Sequence, residues 1–122
     1  MESETTVLLC DDSRALRMLS AKILADNGFN VVAEADNGIA AVEQYKAHKP
    51  ELVLLDLVMP GQDGKEALRE ILAHDADAKV VILSSLGAQH DIEECLRMGA
   101  KSYLQKPIDP ASMTRILREI TS

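Results

Sequence analysis

Four places in this 122-residue chain set a polar, chemically capable side chain directly after a short apolar run. Asp11-Asp12 follow TVLLC, Asp56 follows LVLL, Ser84 follows VVIL, and Lys106 follows SYLQ. Three carboxylates brought together repel one another unless a cation with a preference for oxygen joins them. Mg²⁺ is typically held by one or two carboxylates together with waters and phosphate oxygens. An ammonium and a hydroxyl beside such a group complete the set needed to transfer a phosphoryl group to an aspartate. The carboxylate attacks, and the positive and donor groups neutralise charge that spreads over the equatorial oxygens. Taken singly, each residue has a plain structural use: a helix cap, a turn hydroxyl, a solvated lysine. Only their joint recurrence at strand ends carries the chemical argument.

The elements that must position these groups can be read from periodicity. Leu52 to Leu55 form a continuous apolar run closed by turn residues at Met59-Pro60-Gly61 and Asp63-Gly64, which suits a central strand buried on both faces. Further strands are expected at Thr6 to Cys10, Asn30 to Ala35, Lys79 to Leu83 and Ser102 to Gln105. Helices lie between and after them. The first runs from about Arg14 to Asn27, capped by Ser13, with Leu16, Leu19, Ile23 and Leu24 on one face and Gly28 as its stop. The second follows Asn37-Gly38 to His48, with Ile39, Ala41, Val42 and Tyr45 turned inward. Lys65 to His74 buries Leu68, Ile71 and Leu72. Two more span Gln89 to Met98 and about Pro110 to Ile120, where proline is tolerated in the first turn. Strand and helix alternate five times, which predicts an α/β fold with a parallel sheet covered on both faces by right-handed crossovers. In such a sheet all carboxyl ends share one edge, where ligands bind, so the four polar sites converge.

Composition narrows the function classes. The length fits a single domain, residues 1–122, large enough to bury roughly two-thirds of its unfolded surface. Hydrophobic residues make up 47% of the chain, but aromatics only 2%, so the core must be aliphatic. A formal net charge of -7 argues against a nucleic-acid surface, which needs clustered Lys and Arg. The polar MESETT start does not resemble a signal peptide, and no apolar run reaches the ~18 residues of a membrane span; a cytoplasmic protein without membrane insertion is expected. Cys10 and Cys95 are read as reduced core thiols. His48, His74 and His90 have no second ligand at metal spacing.

The stretches VLLCDDS, LVLLDLVMPGQDG, VVILSS and GAKSYLQKP resemble the response-regulator receiver domain of two-component signalling, in particular its single-domain chemotaxis type, over nearly the whole chain. The resemblance implies a flavodoxin-like sheet of order 2-1-3-4-5. It implies that Asp56 is phosphorylated by a histidine kinase or histidine phosphotransfer protein. Asp12, Asp56 and the backbone carbonyl of Val58 would ligate Mg²⁺ directly, with Asp11 acting through water. Ser84 would be the switch hydroxyl, Lys106 the contact to the phosphoryl group, and Tyr103 the switch aromatic; by its residues alone Tyr103 reads as a half-buried packing tyrosine. A cis peptide is expected at Lys106–Pro107. The helix after Ser13, presenting Ala15, Met18 and Lys22, would receive the phosphodonor protein. The segment from His90 to Tyr103 and the last helix, with Arg115 and Arg118, would meet a downstream effector.

Val58 and Leu86, each two residues beyond a site group, are apolar where many receivers carry side chains that orient an attacking water, which predicts a long-lived phosphorylated state. Alternatives within the class are a phosphorelay intermediate and the receiver of a longer regulator. Outside it, an Asp-nucleophile phosphatase of the haloacid-dehalogenase type would want a second Asp where Val58 stands. A flavin-binding module would want a phosphate-binding loop where Asp11-Asp12 would repel it.

Overall fold

The computed structural model describes residues 5–59, 64–85 and 88–121. Ten elements alternate along the chain. They are β1 (Thr5–Cys10), α1 (Arg14–Asp26), β2 (Phe29–Ala35), α2 (Gly38–His48), β3 (Leu52–Asp56), α3 (Gly64–His74), β4 (Lys79–Ser84), α4 (Gln89–Met98), β5 (Ser102–Gln105) and α5 (Pro110–Thr121). The strands form one sheet in the order β2-β1-β3-β4-β5, and every neighbouring pair is parallel. The expected α/β architecture and strand order are both present.

Alternate residues of each strand point to opposite faces, and both faces are covered. On one face Leu8, Val53, Leu55, Val80 and Ile82 pack with Ala41, Val42 and Tyr45 of α2 and with Leu68 and Ile71 of α3. On the other, Val7, Leu9, Leu54, Val81 and Leu83 pack with Leu24 of α1 and with Met113 and Leu117 of α5. All five residues of β3 are buried, as the unbroken apolar run required. Strand β3 includes Asp56 itself, one residue longer than expected.

The inward assignment of Ile39 needs correction, and the apolar face of α1 is only partly buried. Leu16 and Leu19 are 37% and 54% exposed, and Ile39 is 57% exposed. The buried residues of α1 are Ser20 and Leu24. One residue is about 100° of helix rotation, so fixing Ser20 against the sheet carries Leu19 away from it. In α2 the inward position of the first turn is taken by Gly38, which turns Ile39 outward in the same way. The end of α1 is as expected, with Gly28 in the left-handed region at φ 86.

Cys10 and Cys95 are both buried, and neither is in a disulfide. Burial, with the charge of Asp11 as a smaller cause, pushes the Cys10 thiol far above its ordinary range. The turn residues at 60–63 and Leu86 lie outside the described residues.

Candidate functional site

The carboxyl ends of β1, β3, β4 and β5 bring the predicted residues together. Asp11 continues the β1 ladder by donating its N–H to Ala35 O at 3.0 Å. Its carboxylate then closes the β1–α1 turn, accepting from Ser13 N–H at 2.9 Å. Ser13 is the N-cap of α1 and accepts from Leu16 N–H. Asp12 is exposed, whereas Asp11 is 3% and Asp56 4% exposed. One oxygen of each of the three carboxylates lies within 4.8 Å of the others. Among the described residues they are the single group of three or more metal-type ligands so placed.

Lys106 binds this cluster from β5. Its Nζ lies 2.8 Å from Asp56 Oδ2 and 3.0 Å from Asp11 Oδ2. Its backbone N–H donates to Ser84 O at 2.7 Å, so the end of β5 is tied to the end of β4 before the side chain reaches across. The Lys106–Pro107 peptide is cis, as the resemblance implied. The second Asp56 oxygen accepts from Val58 N–H at 3.1 Å. Both oxygens of Asp56 are therefore aimed by donors, which orients the carboxylate without capping it by backbone on every side.

Electrostatics follow from that geometry. Burial is the largest influence on Asp56 and raises its pKa. The hydrogen bonds from Lys106 and Val58 and the Lys106 charge pull it back, Asp11 pushes it up, and the net shift is upward. Burial alone would lower the Lys106 pKa, but Asp56 and Asp11 outweigh it and its ammonium is stabilised.

Ser84 is 2% exposed, and its Oγ has no hydrogen-bond partner among the described residues. A buried hydroxyl left unpaired costs about 1–3 kcal/mol, and native interiors rarely tolerate one without a functional reason. Tyr103, paired in register with Ile82, is 44% exposed. It stands over a groove lined by Ser85, Ala88, Ile92, Leu96 and Gln105. Val58 is 72% exposed at the rim.

Sequence reasoning did not find three contributors. Arg17 Nη1 donates to the Asp11 carbonyl at 2.6 Å while its Nε pairs with Glu34 at 3.1 Å, bracing the acidic turn against β2. Gly64 N–H donates to Leu57 O at 3.2 Å, and a β-carbon on Gly64 would stand 2.5 Å from Leu57 Cα. Only glycine lets α3 begin that close to the residue after Asp56. The third is Lys65, which reaches α4. The Gly64 signal was visible as Asp63-Gly64, but only as a turn.

The family model for the response regulator receiver domain matches residues 7–118 of the chain. The chain belongs to the response-regulator receiver family. Its curated relatives include chemotaxis receivers. It is 46% identical over 101 residues to the chemotaxis protein CheY of Bacillus subtilis, covering 83% of this chain and 84% of that protein. It is 36% identical over 115 residues to CheY of Thermotoga maritima, covering 94% and 96%. Among solved structures, CheY in the CheX-CheY-BeF3-Mg complex of Borrelia burgdorferi superposes with a TM-score of 0.92 at 34% identity, covering 96% of this chain and 89% of that one. This receiver is thus a signalling-switch module of the chemotaxis type, built on the flavodoxin-like sheet. No described helix is long and apolar enough to cross a membrane.

Proposed function

We propose that residues 1–122 act as one cytoplasmic receiver domain that takes a phosphoryl group onto Asp56 from a histidine kinase or histidine phosphotransfer protein. The single observation that carries this is the Lys106 ammonium lying between Asp56 and Asp11, with the Lys106 backbone bonded to Ser84, whose hydroxyl has no partner among the described residues. A carboxylate oxygen of Asp56 attacks phosphorus, the bond to the donor imidazole nitrogen breaks, and its electron pair stays on that nitrogen. The product is an acyl phosphate. Lys106 balances charge on the phosphoryl oxygens as it forms, and Ser84 Oγ–H supplies a donor with no partner among the described residues.

The donor set fits Mg²⁺: hard carboxylate oxygens from Asp11, Asp12 and Asp56 gathered within 4.8 Å, one of the three exposed to solvent. Asp12, Asp56 and the backbone carbonyl of Val58 would hold the ion directly, with Asp11 acting through water. Bound there, it supplies neutralisation of the phosphoryl oxygens. The related Borrelia structure, whose complex contains BeF3 and Mg, supports this assignment.

The reaction happens once per donor encounter and ends in an altered surface, so the chain is a switch and not a turnover enzyme. Ser84, drawn toward the phosphoryl group, vacates space that the exposed Tyr103 ring enters from its groove. The changed surface of α4, β5 and α5, including Arg115 and Arg118, then meets an effector protein. Ala15, Met18 and Lys22, all exposed on one face of α1, lie beside the acidic site and suit docking of the helix that carries the donor histidine. No nucleic acid is involved directly.

Incubation with acetyl phosphate and Mg²⁺, read by intact mass, tests the proposal. One phosphoryl group is expected on the wild type and none on Asp56→Asn. An unmodified wild type overturns it.

A further inference from the structure

Helix α4 is held at its first turn in an unusual way. Its N-cap, Ala88, offers no side-chain hydrogen bond, whereas α1 and α2 are capped by Ser13 and Asn37, and Asp109 caps α5 through Ser112 N–H. Only Ile92 and Cys95 of its ten residues are buried. What grips the first turn is Lys65 of α3, whose Nζ lies 2.6 Å from Asp91 and 2.9 Å from Glu94. At the far end, Gly99 comes close to α3 again, where a β-carbon would meet Leu72 Cδ1 at 3.2 Å.

The backbone that carries Lys65 lies close to the acceptor strand. Lys65 follows Gly64, which is pressed against the backbone of Leu57, and Leu57 follows Asp56. A short chain of contacts therefore runs from the acceptor strand through Gly64 and Lys65 to α4. We propose that Lys65 is a positioning residue, an ionic latch that holds the first turn of α4 in the arrangement where Ser84 Oγ lacks a partner, and so sets how readily α4 follows Ser84 when Asp56 is modified. The functional half of this rests on the phosphoacceptor assignment; the mechanical half does not.

The ammonium of Lys65 is shared by two carboxylates on successive turns of α4, which a single surface ion pair is not. Both carboxyl groups are held below their usual range, with the Lys65 hydrogen bond as the largest cause. The three side chains keep 25%, 46% and 38% of their exposure, so salt should loosen the latch.

Hydrogen exchange on the full chain without phosphodonor decides the mechanical claim. Lys65→Met and the double variant Asp91→Asn/Glu94→Gln should each speed exchange of residues 89–98 by about threefold, the scale of a small surface charge network. Exchange in α2 and α5 should not change. Lys65→Arg should restore protection, and high salt should mimic the loss in the wild type. At limiting acetyl phosphate, Lys65→Met should also be modified about threefold faster, because more molecules hold the competent arrangement, and Lys65→Arg should return to the wild-type rate. Unchanged exchange in both latch-breaking variants, or faster exchange spread equally over every helix, overturns the latch. Faster exchange with an unchanged modification rate overturns its link to Ser84. Failure of the wild type to take up phosphoryl, with α4 exchange still responding, counts against the phosphoacceptor assignment and not against the latch.

Discussion

The Nζ of Lys106 stands 2.8 Å from Asp56 Oδ2, reached from β5 across the end of β4. That ammonium is also the counter-ion of Asp11. Its removal leaves two nearly buried carboxylates facing each other without compensation. Lys106→Met should therefore destabilise the fold by about 2 kcal/mol, between the limits for exposed and fully buried pairs because the lysine side chain is 19% exposed. The Lys106 pKa is raised on folding, so its contribution is complete below the unfolded lysine value and fades as pH climbs through the folded one. Urea denaturation of both proteins at neutral and strongly alkaline pH checks this. The gap should narrow at high pH, and Mg²⁺ should narrow it at neutral pH.

Asp56→Asn should have the opposite sign. The Asp56 pKa is raised, chiefly by burial, so ionising it costs the folded state more than the unfolded chain. That cost is absent below the unfolded value of about 3.9 and grows as pH rises toward the folded one. The neutral isostere should be more stable at neutral pH by about 1 kcal/mol, the usual size of a single-site effect. Thermal melts across pH should show the advantage vanishing near pH 4.

Gly64→Ala tests the close approach of α3 to the residue after Asp56. A β-carbon 2.5 Å from Leu57 Cα meets backbone, which cannot rotate away, so a loss of about 3 kcal/mol is expected, the upper range for overpacking. Phosphoryl uptake should slow as well, because the displaced residue is next to Asp56. A melt unchanged from the wild type would contradict the tight approach.

The three carboxylates make a specific prediction about metal. Mg²⁺ should stabilise the unphosphorylated protein by about 2.7 kcal/mol at a hundredfold excess over Kd, read as a higher melting temperature. Asp12→Asn should abolish most of that gain with little effect on the metal-free melt, since Asp12 is exposed.

Exposed Val58 predicts persistence. A side chain able to orient water there should hasten loss of the phosphoryl group, so Val58→Asn should shorten its lifetime on the order of tenfold, less than a true general base contributes. Decay followed by intact mass measures it, with Val58→Ala expected to behave like the wild type.

What could be read in advance was whatever depends on strand ends. Asp11, Asp56, Ser84 and Lys106 were placed by two rules alone, that apolar runs are strands and that parallel strands share a carboxyl edge. The bounds of the helices came from caps and stops such as Ser13 and Gly28. Facing was harder. Leu16 and Leu19 share a face with Leu24 by spacing and Ile39 looks inward, yet the helix rotation set by Ser20 and Gly38 leaves them in solvent. Contacts between helices were illegible, because whether Lys65 reaches Asp91 depends on the relative placement of α3 and α4. Arg17 escaped notice for a similar reason, since its partner is the backbone of the acidic turn. The lone hydroxyl of Ser84 is a property of packing and has no signature in the residue string.

The most direct measurement is the site of modification. After brief treatment with acetyl phosphate and Mg²⁺, borohydride reduction converts an aspartyl phosphate to homoserine, and peptide mapping locates it. Homoserine at position 56 alone is the expected result. Homoserine at Asp11 or Asp12, or none in a protein that melts normally, would contradict the account.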